Sequence, residues 1–240
     1  MKHFKNFKTC VYCTAQTLAS LDETTLARDY AYLEKYVGID KVYLETYRDG
    51  TWVSIDHMKM IQNFFKEHGV EIAGGITTVT PPLEKDDVKR QRLFQTFCYS
   101  NEAMRTYLKK IVTYTAELFD EIILDDFFFT SCTCDDCLRE RSNLSWAEFR
   151  SKKMIDVAEN LVLKPAKLAN PSVKVTIKYP NWRESYHETG YVPKIQPSMF
   201  DKIYTGTETR NTAHTDQHLP RYLSYSIMRY MEHVAPGRNG

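Results

Sequence analysis

Six short apolar segments recur along the chain, and each is followed by a segment in which apolar residues have helical spacing. Near-continuous apolar strands of this kind are typical of parallel sheets that are covered by helices. The pattern therefore predicts an α/β fold built from six strand–helix units, in a single domain that spans residues 1–240. The predicted strands are Thr9–Ala15, Lys41–Thr46, Val70–Ile76, Glu121–Phe129, Val173–Tyr179 and Phe200–Thr205.

Helix starts are marked by residues that cap the free amide groups of a first turn. Ser20 with Glu23, and Ser145 with Glu148, have the spacing of capping boxes. Ser100 is the predicted cap of the helix that follows the third strand.

Polar residues gather after the carboxyl ends of the predicted strands, and this placement distinguishes between two candidate architectures. A closed barrel brings all strand ends to one mouth, whereas an open doubly wound sheet spreads them along an edge. No glycine-rich phosphate turn follows the first strand, so a nucleotide-binding sheet is disfavoured. We therefore expect a (β/α)8 TIM barrel. The polar residues in question are Glu45, Tyr47, Asp125, Asp126, Lys178, Trp182, Glu208 and Arg210.

Six units are fewer than the eight of a closed barrel. The expected architecture is therefore a barrel truncated after about six strand–helix units. Strands one and six would then have open edges, which promote self-association, so a homo-oligomer stays open. We also expect the chain to lack activity unless strands seven and eight are supplied.

Three of the six cysteines form a CxCxxC motif, with Cys132, Cys134 and Cys137 in the loop after the fourth strand. Zinc favours four tetrahedral thiolate or imidazole ligands. Cys98 precedes the third helix, and the loops after strands three and four of a barrel are neighbours, so Cys98 is the predicted fourth ligand. Four thiolates leave no open coordination position, which indicates structural Zn²⁺. The other two cysteines, Cys10 and Cys13, are interpreted as core thiols.

This arrangement of cysteines resembles the zinc loop of glycoside hydrolase family 42 β-galactosidases and of related uncharacterised barrels. The resemblance implies that Cys98, Cys132, Cys134 and Cys137 bind zinc in a barrel that handles carbohydrate. The family ends its fourth strand with an Asn-Glu pair, whereas this strand ends in Asp125-Asp126. The family's nucleophile lies on the seventh strand. The resemblance therefore supports the fold and the zinc site more strongly than β-galactosidase activity.

Glycoside hydrolysis needs two carboxyl groups that flank the scissile bond. The candidates are Asp125 or Asp126, together with Glu208 after the sixth strand. Because neighbouring residues of a strand point to opposite faces, we expect only one of the two aspartates to face the pocket. Which one does so stays open at this point. Glu45 is a third candidate for contact with substrate.

Aromatic and cationic side chains complete the predicted mouth. Aromatic rings on loops after strand ends are suited to stacking against sugars, and the cations are suited to binding hydroxyls or to holding the acids ionised. The predicted aromatic contacts are Tyr47, Trp52, Tyr179 and Trp182, and the predicted cationic contacts are Lys178 and Arg210.

Charge and hydropathy exclude several partners. Lysine and arginine number 32 against 31 acidic residues, so no basic field indicates binding of nucleic acid or of an anionic membrane. No apolar run reaches the roughly 20 residues that span a bilayer. No secretory signal is visible, which predicts a cytoplasmic protein, or a secreted or periplasmic one if a signal has been removed.

The sequence thus predicts a glycoside hydrolase-like domain that acts on a carbohydrate through carboxylate acid/base chemistry. One alternative is a barrel lyase or aldolase that uses Lys178 as a Schiff-base amine. The other is a non-catalytic or degenerate barrel that binds carbohydrate.

Overall fold

A computed structural model describes residues 4–207 and 222–238. The strands are β1 (Cys10–Cys13), β2 (Lys41–Arg48), β3 (Thr51–Trp52), β4 (Glu71–Ile76), β5 (Glu121–Leu124), β6 (Lys174–Tyr179) and β7 (Lys202–Thr205). They form one sheet in the order β1-β2-β4-β5-β6-β7, and the short β3 pairs with β2. Neighbours along the main path are parallel. This order follows the chain without a reversal, as in a barrel and unlike a doubly wound sheet.

The expected α/β barrel architecture is therefore confirmed, as a parallel half-barrel of six main strands with helices between them. The described helices are α1 (Ala15–Ser20), α2 (Glu23–Tyr36), α3 (Ile55–Glu67), α4 (Asp86–Lys89), α5 (Glu102–Leu118), α6 (Asp135–Arg141), α7 (Trp146–Val157), α8 (Lys164–Ala169), α9 (Tyr186–Thr189), α10 (Gln196–Met199) and α11 (Leu223–Val234). A π-helical turn, Ala158–Leu163, joins α7 to α8 just before Pro165, whose missing amide proton interrupts the α-helical ladder. No helix in these ranges is both long and apolar enough to cross a membrane.

Two of the three predicted caps differ from the structure. The predicted box at Ser145 and Glu148 is confirmed, since each residue binds the other's backbone amide. Ser20 instead ends α1, so Asp22 caps α2 and accepts a 2.7 Å hydrogen bond from the Thr25 amide. Asn101 caps α5 in place of its neighbour Ser100. In both cases the sequence offered adjacent capping residues, and the helix begins at the later one.

The two faces of the sheet have different environments. Alternate residues such as Val42, Leu44 and Ile122 are fully buried in the main hydrophobic core beneath the helices. The concave face carries Tyr43 and Ile123 in a smaller cluster. Polar groups flank this cluster at both ends of the strands: Lys41 pairs with Glu121 at 2.6 Å where β2 and β5 begin, and a second set lies where the strands end.

Two adjacent glycines in β4 allow close packing on both faces of the sheet. A Cβ atom on Gly75 would lie 2.6 Å from the Tyr12 hydroxyl, and one on Gly74 would lie 2.7 Å from the Phe119 ring. Because real Cβ atoms do not approach other atoms this closely, a side chain at either position would displace its neighbour. Glycine at 75 thus lets Tyr12 cross the concave face toward the carboxyl end of β2.

Within the described ranges, β1 and β7 are the outermost strands of the main path. The interpretation of Cys10 as a core thiol is wrong, because Cys10 is exposed on this edge strand, and Cys13 is only half-buried. Tyr204 on β7 is likewise half-buried although it packs against the concave cluster. One backbone group of β7, the Ile203 amide, is satisfied by the Arg238 carbonyl at 3.1 Å.

The open edges generate a prediction about association. We expect the 240-residue chain to self-associate with rising concentration, because unpaired strand edges pair with other chains. A charged residue on an edge strand opposes such pairing, so Tyr204→Lys should shift the equilibrium toward monomer. Tyr32→Lys, an exposed tyrosine on α2, is the matched control and should leave association unchanged. Light scattering after size exclusion measures both. A parent chain that stays monomeric at all concentrations would contradict this prediction.

Candidate functional site

A chain of alternating charges crosses the concave side where β2, β5 and β6 end. Arg48 donates from Nε to Glu45 Oε2 at 2.8 Å and from Nη2 to Asp125 Oδ2 at 3.0 Å. Lys178 Nζ lies 3.0 Å from Asp125 Oδ1 and 3.1 Å from Asp126 Oδ2. The order Glu45, Arg48, Asp125, Lys178, Asp126 is called the charge chain below.

Both aspartates of the charge chain reach the same lysine, which corrects the expectation that they point to opposite faces. Strand β5 ends at Leu124, so Asp125 and Asp126 lie in the turn that follows, where strand alternation no longer applies. The turn is held by the Asp126 amide, which donates to Asp125 Oδ1 at 3.0 Å. The Tyr191 hydroxyl donates to the Asp126 carbonyl at 2.7 Å.

The cations of the charge chain stay charged at neutral pH. Burial works to lower the pKa of Lys178, but the charges of Asp125 and Asp126 outweigh it and raise that pKa above its ordinary value. Burial likewise opposes the charge of Arg48, and Glu45 with its hydrogen bonds more than compensates, so the pKa of Arg48 is raised.

Glu45 is buried below the mouth rather than placed to touch a ligand. Its side chain is fully buried and accepts hydrogen bonds from the Ala15 amide at 2.7 Å and from the Tyr12 hydroxyl at 2.8 Å. Burial, followed by the Glu45 charge, raises the pKa of Tyr12 well above its usual value, so this hydroxyl stays protonated and donates. The expectation that Glu45 binds substrate is therefore corrected: Glu45 anchors Arg48.

A β-bulge explains why Arg48, and not Tyr47, reaches the charge chain. In the pairing of β2 with β4, Glu45 faces Gly75 but Tyr47 faces Ile76, so Thr46 is an extra residue. A bulge of this kind reverses the alternation of the residues that follow. Tyr47 consequently packs outward against Trp52, with ring centroids 5.2 Å apart. Regular alternation would have turned Arg48 away from the mouth, which is why sequence reasoning missed it.

Two further aromatic residues differ from the expected sugar-stacking role. Tyr179 is fully buried, because it follows Lys178 on β6 and takes the opposite, helix-facing side. Trp52 donates its indole N–H to the Tyr107 hydroxyl at 2.9 Å and packs against the main core. Tyr47, Trp52 and Tyr179 are thus core aromatics. Glu208 and Arg210 lie outside the described residues.

A cleft of about 290 Å³ opens beside the charge chain, between the loops that follow β4, β5 and β6. Asp126 belongs to both the charge chain and this cleft. Trp182, the remaining predicted aromatic, lies on its wall, with its ring centroid 5.3 Å from that of Phe129. The residues that line the cleft are Leu93, Phe94, Asp126, Phe127, Phe129, Ser131, Arg150, Trp182, Ser185, Glu188 and Thr189.

The four predicted cysteine ligands form one cluster. Their sulfur atoms all lie within 4.8 Å of one another, with Cys98 Sγ 3.6 Å from Cys134 Sγ and 3.7 Å from Cys137 Sγ. A tetrahedral site with metal–sulfur bonds of ~2.3 Å has sulfur atoms ~3.8 Å apart, whereas a disulfide needs ~2.05 Å. All four are free thiols. The donor set and its spacing therefore fit a metal ion bound by four thiolates.

Comparisons with known proteins agree with this architecture. An uncharacterized protein of Saccharolobus solfataricus is 32% identical over 252 residues, which is 95% of this chain and 40% of that protein. The β-galactosidase of the psychrophilic Marinomonas ef1 matches 97% of this chain and 47% of its own, at 12% identity and a TM-score of 0.68. The cold-adapted β-galactosidase of Rahnella sp. R3 matches 89% and 41%, at 13% identity and a TM-score of 0.60.

At these identities the two enzyme structures show the fold alone, and the chain spans less than half the length of each relative. A family model, described as the catalytic domain of probable glycosyl hydrolases, matches residues 1–240. The match extends over the half-barrel, the charge chain and the cysteine cluster. The chain belongs to this family of probable glycosyl hydrolase catalytic domains.

Proposed function

We propose that this domain hydrolyses a glycosidic bond and that Asp126 is the carboxylate that meets the substrate. The observation that carries the proposal is the position of Asp126, which lies on the wall of the cleft and 3.1 Å from the Lys178 ammonium. Asp125 lies between Arg48 and Lys178 and is a positioning residue. Family membership supports a carbohydrate-acting hydrolase.

Glycoside hydrolysis needs a second carboxyl group beside Asp126. In the proposed mechanism Asp126 is the nucleophile or the base, and the other group protonates the leaving oxygen as general acid. Glu208, on the segment after β7, is our proposed second carboxylate. Arg210 is proposed to bind substrate from the same segment.

The lining of the cleft supports a sugar as its ligand. Phe94, which is 60% exposed, and Trp182 present apolar ring surface, while Asp126, Ser185 and Glu188 supply polar groups. Sugars combine apolar ring faces with hydroxyl edges and match such a surface. Phe127 connects the two parts of the site, because the Arg48 guanidinium lies 5.9 Å from its ring centroid.

The same geometry disfavours the lyase or aldolase alternative. A Schiff-base lysine must lose its proton to become a nucleophile. Lys178 lies between two carboxylates that raise its pKa, so it stays protonated at neutral pH. The other alternative, a barrel that binds carbohydrate without turnover, is an outcome of the assay below.

We further propose that the cysteine cluster binds structural Zn²⁺. Cys98 comes from the segment between β4 and α5, Cys132 and Cys134 come from the loop after β5, and Cys137 lies in the first turn of α6. A metal ion there would cross-link the two loops that carry Leu93 and Asp126. Four thiolate ligands leave no coordination position for substrate or water, so the reaction itself would proceed on the side chains of the cleft.

The hydrolase proposal predicts unequal effects of removing the two aspartates. In a chain extended to eight strand–helix units, Asp126→Asn should lower turnover of the best aryl glycoside by about 10²–10⁴-fold. The panel should include an aryl β-galactoside, since both solved relatives are named β-galactosidases. Asp125→Asn should lower turnover less, through loss of positioning. If Glu208 is the general acid, Glu208→Gln should lower turnover as much as Asp126→Asn does.

The matched control is Asp56→Asn, at an exposed position in the first turn of α3, which should leave turnover unchanged. Circular dichroism verifies that each variant folds. Turnover of Asp126→Asn within about threefold of the parent, well short of the usual acid/base contribution, would refute the assigned role. Sugar binding without turnover in the parent would favour the non-catalytic alternative.

The metal proposal predicts one zinc ion per molecule by elemental analysis. The double substitution Cys132→Ser and Cys137→Ser should abolish binding and lower the melting temperature, because metal binding at a structural site contributes folding free energy. Cys10→Ser is the matched control, since Cys10 is exposed and lies outside the cluster. A metal-free parent protein, or full zinc content in the double variant, would exclude the site.

A further inference from the structure

The cysteine cluster and the cleft share one short segment of chain. Ser131 lines the cleft and immediately precedes Cys132. The Cys132 amide donates to Thr130 Oγ1 at 3.2 Å, which fixes the turn between them. A cysteine of the cluster and a wall residue of the cleft are therefore neighbours in the chain.

Ser131 forms a hydrogen bond with the wall of the cleft that Leu93 and Phe94 provide, which is called the first wall here. The Leu93 amide donates to Ser131 Oγ at 2.8 Å, and Leu93 is followed by Phe94 on the same wall. Phe94 has φ 51°, a left-handed conformation that is uncommon for a bulky residue and persists only when its surroundings impose it. The bond to Ser131 is one of the restraints that keep the Phe94 ring on the cleft.

Arg150 forms a hydrogen bond with the second wall of the cleft, which Glu188 and Thr189 provide. Its Nη1 donates to the Glu188 carbonyl at 2.7 Å, and its Nη2 donates to the Ser131 carbonyl at 3.1 Å. The Thr130 amide, next to Ser131, donates to the Thr189 carbonyl at 3.1 Å. These bonds tie the segment before Cys132 to the loop after β6, which carries Glu188.

Arg150 also contacts an aromatic residue that packs against the cysteine cluster. Its guanidinium carbon lies 4.9 Å from the centroid of the Trp146 ring, and Trp146 packs against the cysteines. Both its bonds go to backbone carbonyls, and its Nε is buried without a hydrogen-bond partner. A planar guanidinium stacked on an aromatic ring and bonded from two nitrogens has a fixed orientation, which lysine would not reproduce.

We propose that Arg150 and Ser131 are positioning residues that make the shape of the cleft depend on metal occupancy of the cysteine cluster. The coupling rests on the proposed metal site, and the identification of the ligand as carbohydrate rests on the proposed hydrolase function. Coupling between two sites is reciprocal in binding free energy, so a sugar that binds the ordered cleft should also raise the equilibrium affinity of the cluster for the metal in competition with a chelator.

Amide hydrogen exchange tests the coupling without any sugar. We compare the zinc-loaded protein with the same protein after chelation. Removal of the metal should speed hydrogen exchange of the Leu93 and Thr130 amides about five- to tenfold, because each amide would lose about one net hydrogen bond of stabilisation. Acceleration confined to residues 131–141, with Leu93 and Thr130 unchanged, would overturn the proposal.

Two substitutions test the two walls of the cleft one at a time while the metal stays bound. Arg150→Met should speed exchange at Thr130, and Ser131→Ala should speed exchange at Leu93, each with full zinc content. If Arg150→Met loses its zinc, Ser131→Ala alone decides the question. Unchanged exchange at Leu93 in zinc-loaded Ser131→Ala would overturn the proposal.

Arg141→Met is the matched control for stacking. The Arg141 guanidinium carbon lies 4.8 Å from the same Trp146 ring, but this residue bonds the Leu144 carbonyl and lines no part of the cleft. The Arg141→Met substitution should leave the exchange rates of the Leu93 and Thr130 amides unchanged. Acceleration equal to that in Arg150→Met would refute the specific role of Arg150. Failure of the hydrolase assay with these exchange results intact would reject the proposed function and leave the coupling standing.

Discussion

The pairing of Lys178 with two adjacent aspartates is the interaction on which the candidate site depends. Three like charges from Glu45, Asp125 and Asp126 converge where the strands end, and they would repel one another without the two intervening cations. Arg48 and Lys178 make this arrangement compatible with folding. The same pairing keeps the lysine protonated, because the two carboxylates outweigh burial and raise its pKa.

The cysteine cluster provides the second constraint, on the loops rather than on the strands. A parallel sheet fixes its strand ends, but the residues that line the cleft lie on loops of considerable length, and loops have few restraints of their own. The cysteine cluster lies between the segments that follow β4 and β5, and Arg150 bonds the segment before Cys132 to Glu188. The proposed metal ion would join the first two segments and so restrain the wall that carries Phe94.

The elements that were predictable from sequence are those governed by local pattern. The six main strands, the capping box at Ser145 and the four-cysteine cluster follow from hydrophobic spacing, capping chemistry and the CxCxxC motif. Asp126 at the cleft was one of two candidates, and the turn after Leu124 distinguishes it from Asp125.

The remaining features depend on register and on loop contacts, which no single-sequence pattern encodes. The bulge at Thr46 exchanged the sides of Tyr47 and Arg48. Phe94 and Arg150 reach the cleft through loop and helix packing over long separations in sequence. Trp182 was predicted as an aromatic contact, and the Phe127-Phe128-Phe129 run after the aspartates was a further visible signal of an aromatic surface there.

A crystal structure of the extended chain with a thioglycoside analogue of its best substrate would show whether Asp126 contacts the sugar. We expect the sugar in the aromatic cleft, with a polar atom within about 3 Å of an Asp126 carboxylate oxygen and with Asp125 still bound to Arg48 and Lys178. A sugar bound elsewhere, with Asp126 untouched, would contradict it.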